Sequence, residues 1–415
     1  MITPKKQSDK NETKIENRRE VLDTFRKGQI ITVAEVSSRS GLSKATVHRV
    51  VEFLQKEKLV LPAGKGVSGD EGGKKPILFT FNAGYKYVLC YQILANALLS
   101  GISDMRGNFL AERSVAFAND TPLEVVLEKM HDAFGDMASH LHLGLEHFAG
   151  IVIGSHGITN AEEGIVLASP YFPSWGRDIP LVEMVQTLFD RPIPVYIDNS
   201  NRYNAYAEMR AGKAEGCRNF IVVDCELHGV GAGIVIDGVL WRGSHFLSGE
   251  IGHLTVDPTG KRKCTCGNRG CLETMASRNS LINDALEGAK KNSGSLLAKK
   301  IAAGGVSHRD IYDIANAGDE FARSVVEEQA RWLAIAIDSV SLISDPDMVI
   351  LQGPYARGGA FFLERLNYFI NHGGLPQMPK NIALCYSAFD RQRGLIGGAH
   401  FVADKFYSDM SLYNG

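Results

Sequence analysis

The order of apolar and polar positions in the first eighty residues predicts a small helical module. Val21, Leu22 and Phe25 recur at helical spacing within residues 16–27, and Gly28 ends the pattern. A helix with this spacing places its apolar side chains on one face, where they can pack against neighbouring elements. The chain therefore opens with a helix that needs partners to bury that face.

Two further helices joined by a tight turn follow the first. Ala34 and Val36 lie in a short helical segment, Gly41 makes the turn, and Ser43 is a suitable N-cap. The buried stripe of the last helix is Val47, Val50, Val51 and Leu54. The side chains expected at its exposed start are Ser43, Lys44, Ala45, Thr46, His48 and Arg49. A second helix that opens with small, polar and basic residues after a glycine turn is typical of a helix-turn-helix that enters the major groove.

A pair of strands around a glycine-rich loop comes next, in LVLPAGKGVSGDEGGKKPILFTFN at residues 59–82. This pattern predicts a wing, whose Lys65, Lys74 and Lys75 are placed to contact the DNA backbone or minor groove. Residues 1–80 contain 16 Lys and Arg against 10 Asp and Glu, a net +6, whereas the remaining residues carry a net −8. A basic N-terminal segment followed by an acidic body favours a DNA-binding module. The alternative is a set of helices and a hairpin that only pack against a larger domain.

The rest of the 415-residue chain alternates strand-like and helical segments. FAGIVIG, IPVYIDN, NFIVVDC, AGIVIDG and PDMVILQG are the clearest strands, and residues 122–141 and 320–343 are the clearest helices. Such alternation predicts an α/β body with sheets flanked by helices. No apolar run reaches the length of a transmembrane helix and the N-terminus lacks a signal-peptide core, so we expect a cytoplasmic protein with no membrane partner.

Three of the seven cysteines lie close together, which favours a metal site over a disulfide framework. Cys264, Cys266 and Cys271 occupy a glycine-bearing loop, and His253 lies eleven residues before the first of them. Three thiolates and one imidazole form the tetrahedral ligand set of a structural zinc site, with no position left open for catalysis. The alternative is a loop of reduced, unliganded cysteines. The other four cysteines, each among apolar neighbours, are expected in the core.

Several segments together resemble the ROK family of repressors and sugar kinases. They are SGLSKATVHRVVEFLQKEKLV with GGKKP, then GEIGHLTVDPTGKRKCTCGNRGCLE, and finally GLIGGA near the C-terminus. The resemblance implies an actin-like body of two lobes behind the winged helix-turn-helix. It also implies the same four zinc ligands and a sugar pocket formed by Asn199, Glu250, His253 and Glu273. The expected domains are residues 1–81, then lobe 1 at 82–198 with a returning segment at 390–415, and lobe 2 at 199–389.

The sequence departs from the kinase members of that family at three places. Where they carry a glycine-rich phosphate hairpin, this chain has Gln92, Leu94, Ala95 and Asn96. Ser200 aligns with the catalytic Asp, and LQGP at residues 351–354 replaces a richer glycine run. A serine cannot accept the hydroxyl proton as a carboxylate does, although a shifted register would bring in Asp198. We therefore expect no ATP and no catalytic residue.

These expectations define a transcriptional regulator, a repressor of carbohydrate-metabolism genes. Its partners are operator DNA, a sugar or sugar derivative, and a second copy of the chain, since palindromic operators call for two-fold symmetry. A tetramer is an alternative to the homodimer. Two other functions stay open: an ATP-dependent ROK sugar kinase that also binds DNA, and a regulator controlled by a protein or by no effector.

Overall fold

The N-terminal module combines helices with a small antiparallel sheet. The structure, a computed structural model, describes residues 5–28, 30–66, 75–225, 229–373, 381–390 and 392–414, with side chains from residue 11 onward. The elements of the module are α1 (Lys5–Lys27), β1 (Ile31–Thr32), α2 (Val33–Ser40), α3 (Lys44–Lys56), β2 (Val60–Lys65) and β3 (Ile77–Phe81). The strands pair in the order β1-β3-β2, which confirms the predicted hairpin after the helices.

Local capping fixes the boundaries of α2 and α3. The Thr32 side chain accepts a hydrogen bond from the Glu35 N–H at 3.2 Å, and the Glu35 carboxylate accepts one from the Thr32 N–H at 2.6 Å. This reciprocal pair satisfies two amides that a helix start leaves without a partner. Gly41 has φ of 71°, a conformation in which glycine is favoured, and the Ser43 hydroxyl accepts from the Thr46 N–H at 3.2 Å. The predicted turn and cap are confirmed.

The predicted apolar faces are buried in one core. Val21, Leu22 and Phe25 are at most 1% exposed, and the stripe of α3 is at most 7% exposed. Helix α1 differs from the prediction in its start, because it begins at Lys5 rather than near residue 16. The first residues of that helix are polar, so they carry no apolar periodicity from which to recognise a helix.

A mixed sheet forms the first part of the body. The elements around it are β4 (Tyr87–Leu94), β5 (Ala97–Asp104), β6 (Phe109–Ala116), α4 (Leu123–Leu141), β7 (Phe148–Ser155), β8 (Ile158–Asn160), β9 (Ile165–Ala168), β10 (Arg177–Ile179), α5 (Leu181–Gln186) and β11 (Val195–Asn199). The sheet order is β11-β7-β4-β5-β6, with β4, β7 and β11 parallel and the remaining pairs antiparallel. Strands β8 to β10 form a small separate sheet.

A second mixed sheet follows with the same arrangement. Its elements are α6 (Ser200–Ala211), β12 (Phe220–Cys225), β13 (Val230–Ile236), β14 (Val239–Leu240), α7 (Leu272–Ala276), α8 (Arg278–Ala289), α9 (Leu296–Ala302), α10 (His308–Asn316), α11 (Glu320–Ser344), β15 (Met348–Gln352), α12 (Gly359–His372), β16 (Ala383–Tyr386) and α13 (Arg393–Ser408). The order is β14-β13-β12-β15-β16, again an antiparallel meander beside parallel strands. The predicted α/β body with long helices before β7 and before β15 is confirmed.

Helices α6 and α13 join the two sheets. A Cβ built on Gly397 of α13 would lie 1.7 Å from the Tyr203 carbonyl oxygen of α6, so only glycine permits this approach. Helix α13 also packs against β7, where a Cβ on Gly398 would meet Val152. One hydrophobic core accordingly runs from the N-terminal module through β4 and into α13. Within the described ranges, no helix is both long and apolar enough to span a bilayer.

Candidate functional site

The start of helix α3 presents the residues predicted to contact DNA. Ser43, Lys44, Ala45, His48 and Arg49 are exposed, whereas Thr46 is half-buried. Ser43 and Thr46 also hydrogen bond to each other through their hydroxyls at 2.9 Å, so both side chains contribute to the cap as well as to the surface. Lys44 and Arg49 are the cations that this surface offers to phosphates or guanine edges.

The wing adds basic side chains to the same module. Lys65 at the end of β2 and Lys75 before β3 are exposed. Lys74, the other predicted contact, lies outside the described residues.

On α3, His48 pairs with Glu52 at 3.2 Å, but both side chains are about two-thirds exposed, so the pair contributes little to stability.

The four predicted metal ligands converge in space. The ligand atoms of His253, Cys264, Cys266 and Cys271 all lie within 4.8 Å of one another. Two glycines in the loop adopt positive φ, 94° at Gly267 and 73° at Gly270. Tight turns of this kind bring thiols that are close in sequence onto one point. The structure thus contains a cluster of one histidine and three cysteines that can hold a metal ion.

The spacing of the cluster fits a tetrahedral ion. The Sγ atoms of Cys266 and Cys271 are 3.8 Å apart, and the Cys264 Sγ is 3.7 Å from Nδ1 of His253. A zinc ion with Zn–S bonds of about 2.3 Å and Zn–N bonds of about 2.0 Å requires S–S and S–N separations of about 3.8 and 3.6 Å. Because Nδ1 of His253 faces the thiols, its Nε2 remains directed away from them. These two separations are close to the tetrahedral values, and the cluster can therefore hold a metal ion.

The predicted sugar-binding residues fall into two groups. Glu250 and Glu273 lie beside the metal cluster: the Glu273 carboxylate is 2.8 Å from Cys264 Sγ and 3.9 Å from His253 Nδ1. Asn199 instead caps α6, where its Oδ1 accepts from the Asn201 N–H and its amide donates to the Gly157 carbonyl, both at 2.8 Å. The local contacts of Asn199 orient its side chain at the carboxyl end of β11.

Side chains from several elements act on the Glu250 carboxyl. Burial raises the pKa of Glu250, and His253, Arg202 and His156 counteract the rise while Glu273 adds to it. The guanidinium of Arg202 also donates to the Phe246 carbonyl at 2.6 Å, in the loop just before Glu250. The N-terminal part of α6 is therefore held against the loop that carries the acidic side chain.

A buried ion-pair cluster beneath this site was not found by sequence reasoning. Asp198 is 1% exposed and accepts hydrogen bonds from Arg202 and from Arg242, each at 2.7 Å. Paired buried charges are costly to separate, so the cluster fixes the end of β11 relative to the loop after β14. The i, i+4 spacing of Asp198 and Arg202 was the one local signal of this pairing.

The remaining cysteines are divided by their burial. Cys90 and Cys225 are at most 1% exposed, as expected for core residues. Cys217 and Cys385 are half-buried and pack at the edge of a smaller core cluster. None of the four belongs to the described metal-ligand cluster.

Comparison with known proteins places both parts of the chain. The ROK family profile matches residues 95–405, and the IclR helix-turn-helix domain profile matches residues 19–61. A helix-turn-helix joined to such a body defines a DNA-binding transcriptional regulator. The chain belongs to the ROK family.

Individual relatives include both regulators and kinases. The xylose repressor of Bacillus spizizenii is 27% identical over 396 residues, covering 95% of this chain and 97% of the relative. The glucokinase of Halalkalibacterium halodurans is 30% identical over 279 residues, covering 67% of this chain and 83% of the relative. A solved structure of a ROK family transcriptional regulator, a homologue of the Escherichia coli Mlc protein, superimposes with a TM-score of 0.80 at 24% identity, over 97% of this chain and all of that one.

Proposed function

We propose that this chain is a repressor that binds an operator through residues 16–80 and releases or retains it according to a sugar bound between the lobes. The observation that carries the proposal is the packing of a capped helix-turn-helix onto a ROK body in one continuous core. Relatives that match nearly the whole chain are named xylose repressors, which supports a pentose as the effector, and the similarity of the body to a glucokinase supports a hexose as the alternative. The domain division at residues 1–81, 82–198 and 199–389, with 390–415 returning to lobe 1, is part of this proposal.

The geometry around the metal cluster supports a sugar site there. Zinc, held by His253, Cys264, Cys266 and Cys271, would fix the loop between β14 and α7 without an open coordination position. With Nδ1 of His253 on the metal, Nε2 can donate to a sugar hydroxyl. The acidic groups nearby are Glu250 and Glu273, whose carboxylate lies 3.9 Å from Nδ1. Carboxylates accept hydrogen bonds from vicinal hydroxyls, and we assign Asn199, at the carboxyl end of β11, to the same pocket.

The same cleft is poorly equipped for phosphoryl transfer, and we propose that it does not catalyse it. Ser200 is buried at the position aligned with the kinase carboxylate. Asp198, the other candidate base, is 1% exposed, and its two carboxylate oxygens already accept hydrogen bonds from Arg202 and Arg242, so neither oxygen is open to a sugar hydroxyl. The match to a glucokinase over the body keeps kinase activity as the second candidate, and hexose-dependent ATP turnover in a coupled assay would support it.

A dimer interface is proposed on helix α11. Ile335, Leu342 and Ile343 are 37%, 56% and 76% exposed and lie along one side of that helix. Tyr368 on the neighbouring α12 is 44% exposed. Exposed apolar side chains grouped in this way are typical of subunit contacts, and a two-fold axis there would pair two DNA-binding modules.

Operator binding is tested by selection followed by titration. The full chain is used to select fragments from a genomic library, and the enriched fragment is titrated by fluorescence anisotropy at several salt concentrations. We expect salt-sensitive specific binding, weakened at least about tenfold in Arg49→Ala because a direct guanidinium contact to a base edge or phosphate is lost. Lys56→Ala, an exposed cation at the other end of α3, is the matched control and should bind as the wild type does.

The effector is tested on the same protein. D-xylose and D-glucose are the probes, and binding to the native state must raise the thermal midpoint. A shift with either sugar that is lost in Glu250→Gln supports the site. No shift with either sugar, together with intact operator binding, would favour a regulator controlled by a protein or by no effector.

A further inference from the structure

The DNA-binding module is joined to the body by an aromatic contact. Phe81 at the end of β3 packs edge-on against Tyr407 of α13, with ring centroids 5.5 Å apart. On the other side, Arg18 of α1 donates to the carbonyl of Tyr413 in the C-terminal segment. The module therefore packs against α13 and the residues that follow it. These contacts of α1 and β3 with the C-terminal residues are called the joint below.

The carboxyl end of α1 is also held by the body. Arg106, in the turn between β5 and β6, donates to the carbonyls of Phe25 at 3.4 Å, Arg26 at 3.3 Å and Gly28 at 2.9 Å. The last carbonyls of a helix lack intrahelical donors, and a cation there also interacts favourably with the helix dipole. Arg106 thus fixes where α1 ends relative to the first sheet.

One carboxylate next to this joint receives donors from two different helices. Asp404 of α13 accepts from Arg26 of α1 at 2.6 Å, from Arg210 of α6 at 2.6 Å and from the Tyr206 hydroxyl of α6 at 2.6 Å. Burial alone would raise the pKa of Asp404, but Arg26 and Arg210 hold it below its ordinary value. The Asp404 carboxylate is therefore charged at neutral pH and accepts hydrogen bonds from three donors.

Two of the helices that meet at Asp404, α6 and α13, begin in the cleft. Helix α6 starts at Asn199 and Ser200, and its Arg202 is bonded to the loop before Glu250. Helix α13 starts at Arg393, whose guanidinium is 2.5 Å from Asp224 of the second sheet. Their first residues therefore face the site between the sheets, and their last residues face the DNA-binding module.

We infer that α6 and α13 transmit the state of the cleft to α1, with Asp404 as the shared contact and Arg210 and Tyr206 as positioning residues. A ligand that draws the loop before Glu250 moves Arg202 and hence α6. That movement changes the contacts of Arg210 and Tyr206 with Asp404. Asp404 in turn determines the position of Arg26 and of the carboxyl end of α1. Coupling of this kind is a free energy shared by two sites and is reciprocal. The inference rests on the proposed function.

Hydrogen exchange on the full-length protein tests the joint without DNA or sugar. Arg210→Met keeps most of the side-chain volume but removes a donor of Asp404, although Arg210 does not contact α1 itself. We expect the rate of amide exchange in residues 21–28 to rise about tenfold, because the free energy required to open the end of α1 locally becomes smaller. Arg113→Met is the matched control: Arg113 pairs with Asp136 at 3.5 Å on the exposed surface of β6 and should leave α1 unchanged.

Two more variants separate charge from packing. Tyr206→Phe keeps the ring contact with Phe401, at 5.5 Å between centroids, and removes only the hydroxyl. It should also raise exchange in residues 21–28, and it provides the test if Arg210→Met does not fold. Arg210→Lys retains the cation and should return exchange to within about threefold of the wild type. Unchanged exchange at α1 in both Arg210→Met and Tyr206→Phe would overturn the inference.

The regulatory consequence is measured on the selected operator fragment. For wild type, the ratio of operator Kd with and without the sugar probe defines the coupling, and in Arg210→Met and Tyr206→Phe it should fall towards one. The Kd for the sugar itself should change less than about twofold, since neither residue lies in the cleft. A ratio that stays at the wild-type value would refute the transmission. If wild type binds neither operator nor sugar, the proposed function fails. The exchange result still tests whether Arg210 and Tyr206 stabilise the end of α1 through Asp404.

Discussion

His400 provides a test of the electrostatics at the joint between module and body. It lies one turn before Asp404 on α13, where burial lowers its pKa from 6.5 to about 4. Asp404 and Asp104 counteract this shift, whereas Arg210 and Arg26 add to it. The folded protein therefore keeps His400 neutral at pH values where an unfolded chain would bind a proton.

The sign and size of the effect follow from the two pKa values. Because the folded value is the lower one, the stabilising contribution is fully present above pH 6.5 and is lost as pH falls towards 4. Between pH 7.5 and 5.5 the unfolded chain gains about 1.3 kcal/mol from protonation of this histidine, since each tenfold change in proton activity corresponds to 1.36 kcal/mol. His400→Gln removes that contribution and should make stability less dependent on pH.

The measurement is a difference between two proteins at two pH values. Urea unfolding of wild type and His400→Gln at pH 7.5 and 5.5 gives the free energy of unfolding, and other titrating groups, His308 among them, cancel in the comparison. We expect wild type to lose about 1.3 kcal/mol more than the variant. His140→Gln, an exposed histidine on α4, should behave as wild type. A double difference below about 0.4 kcal/mol would refute the neutral state of His400.

Two further predictions concern the metal and the subunit contact. Cys266→Ala should reduce bound zinc from about one equivalent to a small fraction in elemental analysis, because a three-ligand site binds zinc far more weakly, while Cys217→Ala should keep its metal. Full retention of zinc in Cys266→Ala would remove that thiol from the ligand set. Ile343→Asp should sediment as a monomer, since a charge in an apolar contact is costly, while Leu286→Asp, exposed on α8, should not change the oligomeric state.

The parts of the structure that follow from short segments were predictable. The turn at Gly41, the cap at Ser43 and the buried stripe of α3 depend on neighbouring residues only, so their pattern is visible in the sequence. The same holds for the cysteine loop, in which three ligands lie within eight residues. His253 could be added because an imidazole shortly before three thiols matches a known ligand set.

The joint was not predictable, because its contacts connect distant parts of the chain. Arg26 and Asp404 are 378 positions apart, and nothing in either neighbourhood marks them as partners. Arg106 reads as an ordinary surface arginine in a hairpin turn until the fold brings it under the end of α1. The early start of α1 was missed for another reason: its first residues are polar and have no apolar face.

The position of the joint explains how a small change can control DNA binding. Helices α1, α2 and α3 pack against one another and therefore move together, and the body contacts α1 through Arg18 as well as near Arg26 at its carboxyl end. Helix α1 has 23 residues and spans about 34 Å, so a rotation of the module by about 6° moves a point at that distance from the pivot by about 3.5 Å and moves α3 in proportion to its own distance from the pivot. In the proposed dimer this displacement applies to both modules, whose recognition helices must match half-sites about one DNA turn apart. Base contacts require hydrogen-bond distances, so a tilt of a few degrees suffices to weaken operator binding without unfolding the module.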